Sequence, residues 1–169
     1  PVAAWSWRRL CNEIFRAAGT AGRPVLDNSD RRLLLEALDG AAALPASFLT
    51  PLGDDVRELL RQEVPPEEFA LGLDCKDCRP DCPHREEAEG RLCRLYHGYA
   101  ALLAERDLVD SAALESRAAQ ALDEAGRAFR ERWRETPFLF VGFLSLTRGQ
   151  LSLIRRLQAL DLDMTLFHP

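Results

Sequence analysis

From residue 5 to residue 136 apolar positions recur at helical spacing, and only beyond Pro137 does a strand-like run appear. Trp7, Leu10, Cys11, Ile14 and Phe15 fall at i, i+3, i+4, i+7 and i+8, which predicts a helix over 5–18 stopped by Gly19. The loop GTAGRPVLDNSD ends in three candidate N-caps, Asn28, Ser29 and Asp30, ahead of a short helix RRLLLEAL that runs to Gly40. AAALPASFLTPLG carries two prolines and is expected to hold only brief helical turns. Val56, Leu59 and Leu60 mark a further helix that ends before Pro65 and Pro66, and PEEFALG reads as one more helical turn.

Leu92, Leu95, Tyr96, Tyr99, Leu102 and Leu103 share one face of a helix predicted over 85–106. Asp107 or Asp110 is the expected start of a longer helix carrying Leu114, Ala118, Ala121, Leu122, Ala125, Phe129 and Trp133, broken at Thr136-Pro137. FLFV, a turn, a helix over 147–160 and a second apolar run, MTLF, then form a β-α-β unit, with capping-box spacing from Thr147 to Gln150. Such a unit pairs its strands in parallel through a right-handed crossover. A two-stranded parallel sheet is a poor domain by itself, because parallel sheets normally carry more strands and helices on both faces. The expected organisation is a mainly α chain: a helical domain over 1–136, with a Cys-rich loop at 75–93, inserted in a larger α/β core to which 137–169 returns as β-α-β.

Size and composition fit this picture. A chain of 169 residues, 47% hydrophobic and 29% charged, can bury one core or a core plus a small appendage. No apolar run approaches the ~20 residues of a membrane span, and the opening PVAAWSWRRLCNEIF sets its arginines inside an amphipathic pattern rather than ahead of an apolar block. No membrane role and a cytoplasmic setting are therefore expected. The start on Pro1 and the stop at LFHP read as a piece of a longer protein. A net charge of −5 argues against a chain coated for nucleic acid. Lys76 is the only lysine; the arginine bias fits genomic base composition first and bidentate phosphate contact second.

Four of the five cysteines, Cys75, Cys78, Cys82 and Cys93, lie in CKDCRPDCPHREEAEGRLC. Two-residue spacing lets two thiolates reach one metal, so this array is a candidate metal site. Zinc held by four thiolates, or with His84 in place of one, is one reading; an iron–sulfur cluster is another. Reduced surface cysteines, or disulfides formed after purification, are the third. Four protein ligands would make any such metal structural.

RAFRERWRE places Arg127, Arg130 and Arg134 near one helical face beside Trp133. A DNA-phosphate track with a stacking platform is the functional reading of this run. A solvated face, with Trp133 turned to the core, is the simpler one. Tyr96 and Tyr99 fall in an apolar stripe and read as core. Glu86, Glu87 and Glu89 suit the first turn of their helix. No phosphate loop, nucleophile elbow or acid–base pair is present, so no catalytic residue is assigned.

Two stretches carry a resemblance. LYHGYAALLAERDLVD, with Leu95, Tyr96, Tyr99, Leu103, Asp107 and Asp110, and FLFVGFLSLTRGQLSLIRRLQAL, with Gly142, Phe143, Thr147, Gln150 and Leu151, resemble the AddB-like family. These are B subunits of bacterial ATP-dependent helicase–nucleases, related to RecC and to superfamily 1 helicases. MTLF is similar to the family's closing strand, and VAAWSWRRLCNEIFRAAG to the element before its helical insertion. The resemblance is good over 95–169 and loose before that. It implies a P-loop, superfamily 1 helicase-like core and a role in recombinational DNA repair. It also implies a partner subunit that spends ATP and a separate nuclease. Where the family often has aspartate before Gly-Phe, this chain has Val141, which cannot hold magnesium. The implied role is thus to hold or channel DNA, with no nucleotide bound by this stretch alone. The alternative, without nucleic acid, is a metal-stabilised helical module that binds proteins.

Overall fold

Ser6 opens the first helix by accepting a hydrogen bond from the Arg9 backbone N–H, a donor that a helix start would otherwise leave open. In the computed structural model, which describes residues 5–20, 22–38, 44, 46–72, 88–141 and 145–167, this helix, α1, spans Trp7–Ala17. In chain order follow β1 (Val25–Leu26), α2 (Asn28–Ala37), α3 (Ala46–Arg61), α4 (Pro66–Gly72), α5 (Ala88–Glu105), β2 (Val109–Asp110), α6 (Leu114–Trp133), β3 (Phe138–Phe140), α7 (Arg148–Ala159) and β4 (Met164–Leu166). The protein is mainly α-helical with two small parallel sheets, β1–β2 and β3–β4. Among the described residues no helix is long and apolar enough to cross a membrane.

The chain divides into two compact units. One, 24–112, is continuous; the other is assembled from 1–23 and 113–169, the segments that flank it. The expected boundary at 136/137 falls inside this second unit.

In the 24–112 unit, Leu35 of α2, Leu49, Leu52 and Val56 of α3, and Leu95, Tyr96, Tyr99 and Leu103 of α5 form one buried cluster. The apolar stripe predicted for α5 is thus its packed face. The stretch with two prolines departs from expectation: α3 runs unbroken from Ala46 with Pro51 inside it. Proline in a helix forgoes one backbone bond and costs about 3 kcal/mol. Burying Leu49, Leu52 and Val56 on one face, at roughly 1.5–3 kcal/mol each, outweighs that. Asp107 does not start a helix either. It takes φ 51° as the left-handed residue that closes α5, where Leu108 N–H donates to Leu103 C=O at 2.9 Å. Asp110 lies in β2, and the long helix begins only at Leu114.

In the other unit α6 packs against both α1 and α7. Leu10, Cys11 and Ile14, then Leu114, Ala118, Leu122, Ala125 and Phe129, then Leu153, Ile154 and Leu157 are among the buried side chains of this unit. The β-α-β reading holds: β3 and β4 pair in parallel, Phe138 with Met164, Leu139 with Thr165 and Phe140 with Leu166. The predicted capping box is present, with Thr147 Oγ1 accepting from Gln150 N–H and Gln150 Oε1 from Thr147 N–H. Phe140 is buried, whereas Leu139, Val141 and Phe167 are 57%, 59% and 54% exposed. Leu139, Val141 and Phe167, with exposed Thr165 paired to Leu139, thus leave a largely apolar side of this parallel pair open.

Candidate functional site

A cation sits on the buried stripe of α2. Arg31 precedes Leu35 by one helical turn, and both are buried. Its guanidinium meets Asp110 through two parallel bonds, Nε to Oδ2 at 2.7 Å and Nη2 to Oδ1 at 2.6 Å. Arg31 Nη1 also donates to Asn28 Oδ1 at 3.0 Å. Tyr99 of α5 donates its hydroxyl to Asp110 Oδ2 at 2.6 Å, and the Ala112 N–H donates to Oδ1 at 2.7 Å. Burial acts to lower the Arg31 pKa, but the hydrogen bond and charge of Asp110 outweigh it and hold the guanidinium above its usual value. Burial, followed by the charge and hydrogen bond of Asp110, raises the Tyr99 phenol.

These bonds decide what the cluster can do. Each Asp110 oxygen accepts two hydrogen bonds, which fills the capacity of a carboxylate, and the residue has no exposed surface. It has no open lone pair for a substrate proton or a metal. The triad ties the start of α2, the end of β2 and the middle of α5 together. It is a structural clamp. The sequence did carry one signal for it, an arginine one turn from Leu35 on an apolar helix face, whereas Asp110 looks like a helix cap.

The metal expectation is corrected. Among the described residues no group of three or more His, Cys, Asp or Glu side chains could hold a metal ion. Cys75, Cys78, Cys82 and His84 lie outside the described residues. Cys93, in α5, is fully buried in the core of its unit. Cys11 is a free, buried thiol whose pKa is raised by burial and further by Glu115, which keeps it protonated.

The arginine run is solvent-facing. Arg127, Arg130 and Arg134 are all exposed on α6 or just beyond it. Arg130 pairs with Asp161 at 3.0 Å and Arg134 with Glu135 at 3.3 Å. Arg127 lines an open groove of about 560 Å³ with Asp123, Glu124, Glu131 and Leu160. Acids thus share this surface with the cations. Trp133 is half-buried, its ring 4.9 Å edge-on from Trp5 and 6.4 Å from Phe138. Tyr96 and Tyr99 are core, as their spacing implies, and Tyr96 donates to Val64 C=O at 2.6 Å. Glu86 and Glu87 lie outside the described residues.

No protein-family model matches the chain, and no curated protein shows a significant match to it.

Proposed function

We propose that this chain is a non-catalytic, helicase-like segment of the B subunit of a bacterial ATP-dependent helicase–nuclease. It would act in the cytoplasm in recombinational repair, holding or channelling DNA while a partner subunit hydrolyses ATP. The observation that carries this reading is the β3–α7–β4 unit. Leu139 of β3, with Val141 and Phe167 immediately after the two strands, makes an open, largely apolar surface, and parallel sheets normally bury both faces within a larger α/β core. At the carboxyl end of β3, where a nucleotide-hydrolysing enzyme carries a magnesium-binding acid, stands exposed Val141. Further support comes from the interposition of a helical unit, 24–112, between two segments of the unit that carries this sheet.

The same open face also favours a helical module that binds a protein through apolar contacts. Forked and single-stranded DNA separate the two readings. The helicase-like reading expects binding at low salt that is unchanged by ATP and magnesium, with no phosphate released. Absence of DNA affinity at low salt in the full protein would leave only the protein-binding module.

A further inference from the structure

We propose that a ladder of alternating guanidinium and indole groups on α1 and the end of α6 is a binding site for single-stranded DNA. The proposal rests on the DNA-holding reading and gives it a location, distinct from the Arg127–Arg130–Arg134 run. Arg9 lies over the Trp5 ring with its Cζ 5.2 Å from the centroid. Trp5 meets Trp133 edge-to-face at 4.9 Å and 88°. Arg132 in turn lies over Trp133 at 5.4 Å. Phe138 backs both indoles, at 6.2 Å and 6.4 Å.

Three features suit unpaired nucleic acid. A guanidinium stacked on a ring keeps N–H groups that can meet a phosphate, although Arg132 already pairs with Glu13 at 3.6 Å through one of them. Arg9 and Arg132 are both exposed, and Trp5 and Trp133 beside them are half-buried. A flexible strand can lay a base against such a platform and a phosphate against the neighbouring arginine. A duplex keeps its bases stacked inside and can use only the charges.

Local charge agrees with this occupant although the whole chain carries −5. Helix α1 holds Arg8, Arg9 and Arg16 against one acid, Glu13. Glu13 is buried and paired with both Arg16 and Arg132, the latter at 3.6 Å, so it orients Arg132 from below. Poly-glutamate would meet the same charges but has no aromatic ring to stack on the indoles.

The test uses the full chain with a dye-labelled oligothymidine, read by anisotropy and by quenching of tryptophan fluorescence. The comparison probes are a duplex of the same length and poly-glutamate. Arg9→Gln with Arg132→Gln is the diagnostic pair, because Glu13 keeps Arg16 and the fold should persist, checked by circular dichroism. The expected result is oligothymidine binding with quenching, weaker duplex binding, and at least a roughly tenfold loss of affinity in the pair. The salt slope should fall by about 1.4, from ~0.7 per single-strand phosphate contact. Arg127→Gln with Arg130→Gln should stay within about twofold of wild type. Wild-type affinity in the Arg9 and Arg132 pair would overturn this site while leaving the DNA-holding reading intact. Equal displacement by poly-glutamate would overturn single-stranded DNA as its occupant. No binding of any DNA would overturn both.

Discussion

Asp110 illustrates how much of a residue's role depends on partners far along the chain. An aspartate before Ser-Ala-Ala reads locally as a helix cap, and part of that survives, since the Ala112 N–H donates to it. Its larger role, gripping Arg31 across 79 positions, has no local signature. Arg31 was half legible, as a charge on an apolar stripe; the identity of its counter-ion was not. Removing one partner of a buried ion pair leaves the other charged and desolvated, at a cost of about 3–5 kcal/mol. Asp110→Ala should therefore lower urea-unfolding stability by that order. Arg31→Met combined with Asp110→Asn, which removes both charges, should be milder than Asp110→Ala. A double variant that loses as much as Arg31→Met and Asp110→Asn do separately, added together, would refute the coupling.

The two tyrosines give a second test at this scale. Burial pushes the Tyr96 phenol up to about 12, with Glu67 and Asp110 adding to it, and Tyr99 rises by burial and then by Asp110. Phenols whose folded pKa lies above the usual 10.0 contribute stability that is fully present below that pH and is lost as pH rises through about 12. Because these are the chain's only tyrosines, tyrosinate absorbance should stay silent through pH 10 and appear together with unfolding. A tyrosinate signal near pH 10 with the helical dichroism intact would contradict their placement.

At the scale of elements, periodicity was a good guide wherever a stripe was long. The faces of α1, α5 and α6 and the capping box of α7 all follow from spacing. What spacing could not give were β1 and β2. Two-residue strands are too short for any alternation to show, and their pairing of Val25 with Val109 is purely tertiary. Helix α3 ran through Pro51 because packing can outweigh a local breaker. Close packing of α6 on α7 has a direct probe in Gly149. A Cβ there would sit 2.7 Å from Ser116 Oγ and 3.4 Å from its backbone nitrogen. Gly149→Ala should accordingly destabilise by about 1–3 kcal/mol through overpacking, measured as a shift in the denaturant midpoint. A more stable variant would mean that α6 and α7 have room between them.

For the whole molecule, the proposal of a helicase-like segment rests on the open apolar side of the β3–β4 pair and on the insertion-like order of the two units. The aromatic–arginine surface was only partly legible in sequence. The run around Trp133 drew attention, but Trp5 and Arg9 lie more than 120 positions away and meet it only through folding. The affinity of the full protein for forked DNA, followed as salt is raised from ~50 to ~200 mM, is the most direct test of DNA holding. Arginine contacts to phosphate predict that log K falls linearly with log salt, with a slope of several contacts and no dependence on ATP. A flat profile, or no binding at the lowest salt, would contradict it.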